Sequence, residues 1–297
     1  MINFSFHDPI LTKIIKSILD KHQNNIISVY GLGSFFNSSK KYNWVSSDID
    51  IIILVKLLDL VPKRDWTNVR YEKLNIDGYT IWMGFNSLEG LLNKEKFKQE
   101  SFANYEWSIY DLKYKENSQL LYGKDIRNTL PDISDLKIDY DDIFTRSLYH
   151  LNKSFGIFKN NEELHQAKLE FTKALFKFGF YICIFYDNRF HFTSIYKISQ
   201  KLTKIKNRNS NIQLLQNLFQ EAIDYRINHN FVSDFKSLRT KFTFLILSLI
   251  KTGSLHRLLN FEEFLSYLEQ KFNGLYNIIN FLKRAKNLYY ASEDHKL

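Results

Sequence analysis

The stretch Ile49 to Val55, IDIIILV, constrains the fold more than any other part of this sequence. Apart from one aspartate it is a continuous apolar run of strand length, which is typical of a strand that is covered on both faces. The rest of the chain must supply that cover. With 297 residues the chain can bury a sizeable core, and its length favours two domains over one.

Residues 1–131 alternate between helical and strand patterns. Helical spacing of apolar residues predicts helices over 8–22, 88–99 and 105–115. Strands are predicted at 26–32, 69–76, 79–85 and 119–122, in addition to 49–55. The dipeptide Asp77-Gly78 between two of these strands is a strong signal for a two-residue hairpin turn. These elements predict a domain with a small mixed sheet.

The composition changes after Pro131. All three prolines and six of the ten glycines lie in residues 1–131, whereas later apolar residues recur at helical spacing. We therefore predict an α+β fold, in which the mixed-sheet domain (1–131) is followed by an all-α helical domain (143–290). The acidic stretch 132–142 joins the two.

The charge of the chain is uneven. Residues 1–145 carry 18 Lys and Arg against 20 Asp and Glu, which leaves 23 against 12 for the second half. A basic excess of this kind attracts phosphates, nucleic acid or an anionic membrane surface, although a solvated helical surface explains it equally well. Cys183 is the only cysteine, so a disulfide within the chain is excluded and a cysteine-based zinc site is not expected.

No apolar stretch reaches the roughly 20 residues that a membrane-spanning helix needs. The N-terminus also lacks the pattern of an export signal. We expect a cytoplasmic protein with no membrane partner.

The most informative motif combines Gly33-Ser34, at the end of one apolar run, with Asp48 and Asp50 at the start of the next. Residues two apart on a strand share a face, so both carboxylates can reach one hard cation such as Mg²⁺. Gly33 lets the backbone approach a ligand, Ser34 adds a hydroxyl, and a helix predicted to begin at Phe35 would direct N–H groups at an anion. The motif favours a site for a metal-bound triphosphate.

This order of Gly-Ser, a 13-residue spacer and Asp-x-Asp resembles the polymerase-β-like nucleotidyltransferase superfamily. The layout is similar to the minimal nucleotidyltransferases and the streptomycin/spectinomycin adenylyltransferases. A second similarity is LLYGKDIRNTLP, residues 120–131, which looks like the strand and turn that close their catalytic domain. A weaker one is residues 170–184, similar to the helix that opens their helical domain.

The resemblance implies Mg²⁺- or Mn²⁺-dependent transfer of a nucleoside monophosphate, with AMP from ATP as first choice over another nucleoside triphosphate, onto a hydroxyl. Asp48 and Asp50 would then be metal ligands and catalytic residues, and Gly33 and Ser34 would hold the phosphates. The family also carries a third carboxylate on the strand after the hairpin, but here Thr80 and Trp82 occupy that side. The substitutes that we consider are Glu72, Asp77, Glu89, Glu106 and Asp111, with Glu89 as first choice.

The missing acid keeps other functions open. One alternative is a non-catalytic module that binds nucleotide or RNA, and another is an antitoxin that acts on a partner protein. The basic second half, with Lys173 and Lys177 one helical turn apart, predicts that Lys173 faces the triphosphate or an anionic acceptor. We therefore expect a neutral or acidic acceptor, RNA or a protein, in preference to an aminoglycoside.

Overall fold

The structure, a computed structural model, describes residues 9–37, 48–63, 70–101, 103–155, 158–205 and 210–251, and the single positions 266, 280 and 283. Two compact units make up the chain. One comprises Met1–Ile138 and Phe192–Ser194, and the other Asp139–His191 and Ile195–Leu297. The domain bounds 1–131 and 143–290 stay predictions, and most of residues 252–290 lie outside the described part.

The first unit is built on a five-stranded mixed sheet. Its strands are β1 (Ile26–Leu32), β2 (Ile49–Val55), β3 (Arg70–Ile76), β4 (Tyr79–Ser87) and β5 (Ser118–Gly123). They lie in the order β3-β4-β2-β1-β5, with β2 parallel to β4 and the other neighbouring pairs antiparallel. The predicted α+β class and mixed sheet are confirmed.

Strand β2 is central, as its apolar run predicts, and it feeds a core on each face of the sheet. Ile49, Ile51 and Ile53 pack into one core together with the buried residues of helix α1 (Pro9–His22). Leu54 faces the other side and packs into a second core with the helices that follow β4. These helices are α3 (Leu88–Leu92), α4 (Lys94–Glu100) and α5 (Tyr105–Lys113).

The predicted helix over 88–99 is wrong as a single element, because it is interrupted at Asn93. Asn93 has extended dihedral angles, with φ of −131°, and ends α3. Its side-chain oxygen accepts hydrogen bonds from the backbone N–H groups of Glu95 and Lys96, at 3.0 and 3.1 Å. An asparagine that caps a helix N-terminus in this way starts a new helix, so α4 begins at Lys94.

The predicted hairpin turn between β3 and β4 is confirmed. Asp77 and Gly78 have φ of 50° and 83°, the positive values that a type I′ turn requires at both central residues. Ile76 then pairs with Tyr79 at the end of the antiparallel ladder.

The last strand of the sheet, β5, is fixed by a buried arginine. Arg127 is 5% exposed and donates to the carbonyls of Leu112 and Ser118 and to the carboxylate of Asp125. Its guanidinium carbon lies 5.0 Å from the ring centre of Tyr30 on β1. Each guanidinium nitrogen therefore has a partner, and the arginine ties α5, β5 and β1 together.

The described part of the second unit contains helices α6 (Asp141–Lys153), α7 (Asn161–Tyr186), α8 (Ile195–Lys204), α9 (Ser210–Asn228) and α10 (Phe235–Lys251). Helix α7 supplies the buried aromatic residue Phe171, whose ring meets those of Phe231, Phe235 and Phe242 edge-on. That residues 143–290 form a separate all-α domain stays a prediction. Among the described helices, none combines the length and hydropathy that crossing a membrane requires.

Two glycines with the same backbone conformation provide a test of how β5 ends. Gly123 and Gly78 have φ of 84° and 83°, but a Cβ on Gly123 would collide with the carbonyl of Ile27, whereas a Cβ on Gly78 has no heavy atom within 4 Å. We expect Gly78→Ala to lower the free energy of unfolding by about 1 kcal/mol and Gly123→Ala by roughly 3 kcal/mol. Urea denaturation of both variants measures the difference, and equal losses would contradict the steric argument.

Candidate active site

Asp48 and Asp50 lie at the start of β2 and are both exposed, while Ile49 and Ile51 between and after them are buried. This alternation confirms that the two carboxylates share a face of the strand. Residues two apart on an extended strand have Cα atoms about 6 to 7 Å apart. The pair can therefore contact one divalent cation and leave its remaining positions open.

Gly33 lies next to Asp50, at the end of β1. Leu32 is the register partner of Asp50, and the next residue, Gly33, has φ of 79°. A Cβ on Gly33 would lie 3.2 Å from Oδ2 of Asp50. Glycine thus meets two requirements here, because it adopts the left-handed conformation and leaves space beside a carboxylate.

A single helical turn follows Gly33. This helix, α2 (Ser34–Asn37), begins one residue before the predicted start at Phe35. Four residues give no useful macrodipole, so any anion binding here depends on individual backbone N–H groups that a first turn leaves without intrahelical partners. The side chain of Ser34 lies outside the described part of the structure.

Gly31 has a role that the sequence analysis missed. A Cβ at this position would collide with the ring of Phe36, which packs with Phe35 against the core next to α1. The ring holds the turn after β1 against the sheet. The sequence shows only a glycine in a strand, five positions before an aromatic residue. This pattern becomes informative only when the fold shows that the chain turns after β1 and brings Phe36 back to Gly31.

Trp82 takes the place beside Asp50 where the family resemblance expects a third carboxylate. β2 and β4 run parallel, and their register pairs Asp50 with Trp82 directly. Lys73 on β3 pairs with Trp82 in turn and places its Nζ 4.9 Å from the ring centre. The row across this face of the sheet therefore carries one carboxylate, one indole and one ammonium group.

Glu89, our first choice for the missing acid, is not brought to this pair. It lies on α3, beyond the carboxyl end of β4, whereas Asp50 lies near the amino end of the parallel strand β2. The five steps along the strand from Trp82 to Ser87 alone span about 16 Å. The length of a strand thus separates Glu89 from the aspartates.

Three of the other acids that we considered have partners elsewhere. Glu72 pairs in register with Met83, on the opposite face from Trp82, and its carboxylate lies 3.4 Å from Lys21 of α1. Asp77 forms an ion pair with Lys13 of the same helix. Glu106 is 9% exposed and forms an ion pair with Lys94. Asp111 lies in the last turn of α5, and its proximity to the pair stays a prediction.

Within the described ranges, no three His, Cys, Asp or Glu side chains are grouped so that they could hold a metal ion. Asp48 and Asp50 by themselves would suit Mg²⁺ or Mn²⁺ if phosphate oxygens and water completed the coordination.

No protein-family model matches the chain, and no curated protein matches it either.

Lys173, predicted to contact the triphosphate, lies on α7 in the second unit. Its Nζ is 3.3 Å from Oε1 of Glu170, whose other oxygen contacts Nδ1 of His150 at 2.8 Å. Burial lowers the pKa of His150 despite the nearby carboxylate, so at neutral pH we assign a neutral imidazole that donates to Glu170. The phosphate-binding role of Lys173 stays a prediction, and any phosphate would compete with Glu170 for it.

The cluster around Glu170 predicts acid sensitivity of stability. Burial raises the pKa of Glu170, but the hydrogen bond from His150 and the charge of Lys173 outweigh it and hold the pKa at about 2. The folded pKa lies below the ordinary value of 4.5, so the carboxylate stabilises the fold above that pH and loses this effect as the pH falls toward 2.

We therefore expect Glu170→Gln to lower the free energy of unfolding by about 2 kcal/mol at pH 6 and by progressively less at lower pH. Urea denaturation at several pH values between 6 and 3 measures this, with Glu162→Gln, an exposed position on the same helix, as control. A loss that does not vary with pH would contradict the assignment.

Proposed function

We propose that the protein is a nucleotidyltransferase that moves a nucleoside monophosphate, AMP from ATP as first choice, onto a hydroxyl of an acceptor and releases pyrophosphate. One observation carries this proposal: Oδ2 of Asp50 lies 3.2 Å from the position of a Cβ on Gly33. Asp50 and Gly33, which are 17 residues apart in sequence, are thus adjacent in the fold. That adjacency is what a metal-bound triphosphate requires, and the Gly-Ser and Asp-x-Asp resemblance supports the same reading.

In the proposed reaction each part of the site has a separate task. Asp48 and Asp50 would hold Mg²⁺ or Mn²⁺, and the metal would neutralise negative charge on the reacting phosphoryl group. The turn after Gly33 positions the β- and γ-phosphates through backbone N–H groups. The acceptor hydroxyl must attack from the side opposite the leaving pyrophosphate, because entering and leaving oxygens lie in line.

The in-line geometry places the leaving pyrophosphate and the acceptor on opposite sides of Asp50. The glycine turn is on the β1 side, so the pyrophosphate leaves toward β1. The acceptor then approaches from the β4 side, over Trp82. An indole rather than a carboxylate therefore borders the attacking hydroxyl, and its proton must pass to Asp50, Asp48 or a phosphate oxygen.

Trp82 also favours a second candidate function. Without an acid at that position, the same site can serve a non-catalytic module that binds a nucleotide or RNA. The transferase and the binding module would use the same contacts described above. The basic excess of the second half, 23 Lys and Arg against 12 Asp and Glu, supports a neutral or acidic acceptor, RNA or a protein, for the transferase and RNA as the ligand of the binding module. The third candidate is an antitoxin that modifies or masks a partner protein.

We expect Asp48→Asn and Asp50→Asn each to reduce metal-dependent transfer by about 100-fold or more, because each change removes a ligand that offsets phosphate charge. Incubation with α-labelled triphosphates, Mg²⁺ and a cell extract measures the label that reaches an acceptor. Asp20→Asn, the same change at an exposed position of α1, is the matched control and should leave transfer unaltered.

If either variant transferred at nearly the wild-type rate, the active site would lie elsewhere in the protein. Absence of transfer by the wild-type protein, together with triphosphate binding that Asp50→Asn weakens, would instead support the binding module.

A further inference from the structure

A pocket of about 350 Å³ opens beside the candidate active site, at the β3–β4 edge of the sheet. Its lining includes Tyr71, Trp82, Gly84, Asn86, Glu100 and Ser101. Its volume falls within the range of small-molecule sites. Trp82, the register partner of Asp50, belongs to this lining, so the pocket begins one strand away from the carboxylate pair.

The register shows which side chains enter the pocket. Tyr71 pairs with Gly84, and alternation along β4 places Trp82, Gly84 and Asn86 on the same face as Asp50. Arg70 and Phe85 also border the pocket, but they form the intervening register pair, and Phe85 packs into the core on the opposite face. Nη2 of Arg70 donates to Asp59, whereas its Nε and Nη1 are buried without a hydrogen-bond partner among the described residues.

The pocket has aromatic walls and a floor without a side chain. Trp82 is 38% exposed although it lies in the middle of a strand, and the ring of Tyr71 is 6.2 Å from it. Between them, a Cβ on Gly84 would have no heavy atom within 4 Å, and the backbone there is of the ordinary extended type. A flat group can therefore lie on Gly84 and contact the rings.

On the face that carries Trp82, Asn86 contributes a buried donor that lacks a partner. Asn86 is 4% exposed, and its Nδ2 has no hydrogen-bond partner among the described residues. The nearby carboxylate of Glu100 is already engaged, because it accepts from the backbone N–H of Ser87 at 2.9 Å and from its hydroxyl. A buried donor without a partner is unfavourable, because it has lost its hydrogen bonds to water and gained none in return. A ligand with an acceptor atom on its edge would remove that cost.

From these observations we propose that the Tyr71–Trp82–Asn86 pocket binds the nucleobase of an acceptor RNA nucleotide, whose ribose hydroxyl then lies beside Asp50. The base contacts the two aromatic rings, and a ring nitrogen or carbonyl on its edge accepts from Asn86. Lys73, next to Trp82, attracts the adjoining phosphate. The assignment of this base to the acceptor rests on the proposed transfer reaction, in which the acceptor approaches from the β4 side.

The unpaired donor of Asn86 favours a nucleobase over a tyrosine side chain. A tyrosine side chain also offers a flat ring, but its only polar atom is the hydroxyl that would have to reach Asp50, which leaves Asn86 without a partner. A nucleobase carries acceptor atoms on its edge in addition to the separate ribose hydroxyl. The pocket therefore fits a nucleotide better than a tyrosine.

Binding to a short fluorescent single-stranded RNA, measured by anisotropy at fixed salt and without divalent metal, tests the pocket separately from transfer. We expect Gly84→Val, which fills the floor, to weaken binding about tenfold or more, and Asn86→Leu and Trp82→Leu to weaken it as well. Glu89→Gln, outside the pocket, is the control, and thermal melts confirm that each variant folds.

The outcomes separate the two proposals. If Gly84→Val and Trp82→Leu weaken RNA binding but the wild-type protein transfers nothing, the pocket is supported and the proposed transfer reaction is rejected. RNA binding that is undetectable, or that none of the three pocket variants weakens, overturns the pocket whether or not transfer occurs. If the wild type labels a tyrosine-containing protein and added RNA does not reduce this labelling, the pocket belongs to a protein acceptor and the RNA proposal is overturned.

Discussion

The burial of β2 on both faces is the constraint from which the rest of the first unit follows. A strand whose sheet is covered on both faces must place apolar side chains above and below, and from Ile51 onward this one does so. Charge is tolerated only where a face is uncovered, and this occurs at Asp48 and Asp50, before the second core begins. The same sheet thus provides the rigidity of a core and one uncovered end at which polar chemistry is possible.

Local rules were sufficient wherever the signal lay within a few residues. The apolar run of β2, the Asp77-Gly78 turn and the alternation around Asp50 were all predicted from the sequence, because periodicity and positive φ are properties of short segments. The break at Asn93 was missed since an asparagine inside an amphipathic pattern can either face solvent or cap a new helix. Only the side-chain hydrogen bonds to Glu95 and Lys96 distinguish these cases.

The candidate site was less predictable, because its parts depend on strand order. Nothing local to Glu89 shows that it follows the carboxyl end of a strand parallel to β2, and that direction alone removes it from the aspartates. Asn86 and Gly84 were not noticed for the same reason. A glycine and an asparagine in a strand have no evident role until pairing places them next to Trp82 and Tyr71. The role of Gly31 likewise depends on a ring that returns from the following turn.

The buried contact between Tyr30 and the Asp125–Arg127 segment has a consequence for the order of folding. Tyr30 and Asp125 are 95 positions apart, so their contact closes a long loop, whereas the β3–β4 hairpin forms from adjacent residues. During synthesis, β1, β2, β3 and β4 leave the ribosome well before β5. A nascent chain can therefore assemble the strands that carry Asp50 and Trp82 while β1 still has an unpaired edge. Once β5 and Arg127 have been synthesised, β5 pairs with β1 and Arg127 packs on Tyr30. The edge of β1 is then no longer open to pairing with another strand.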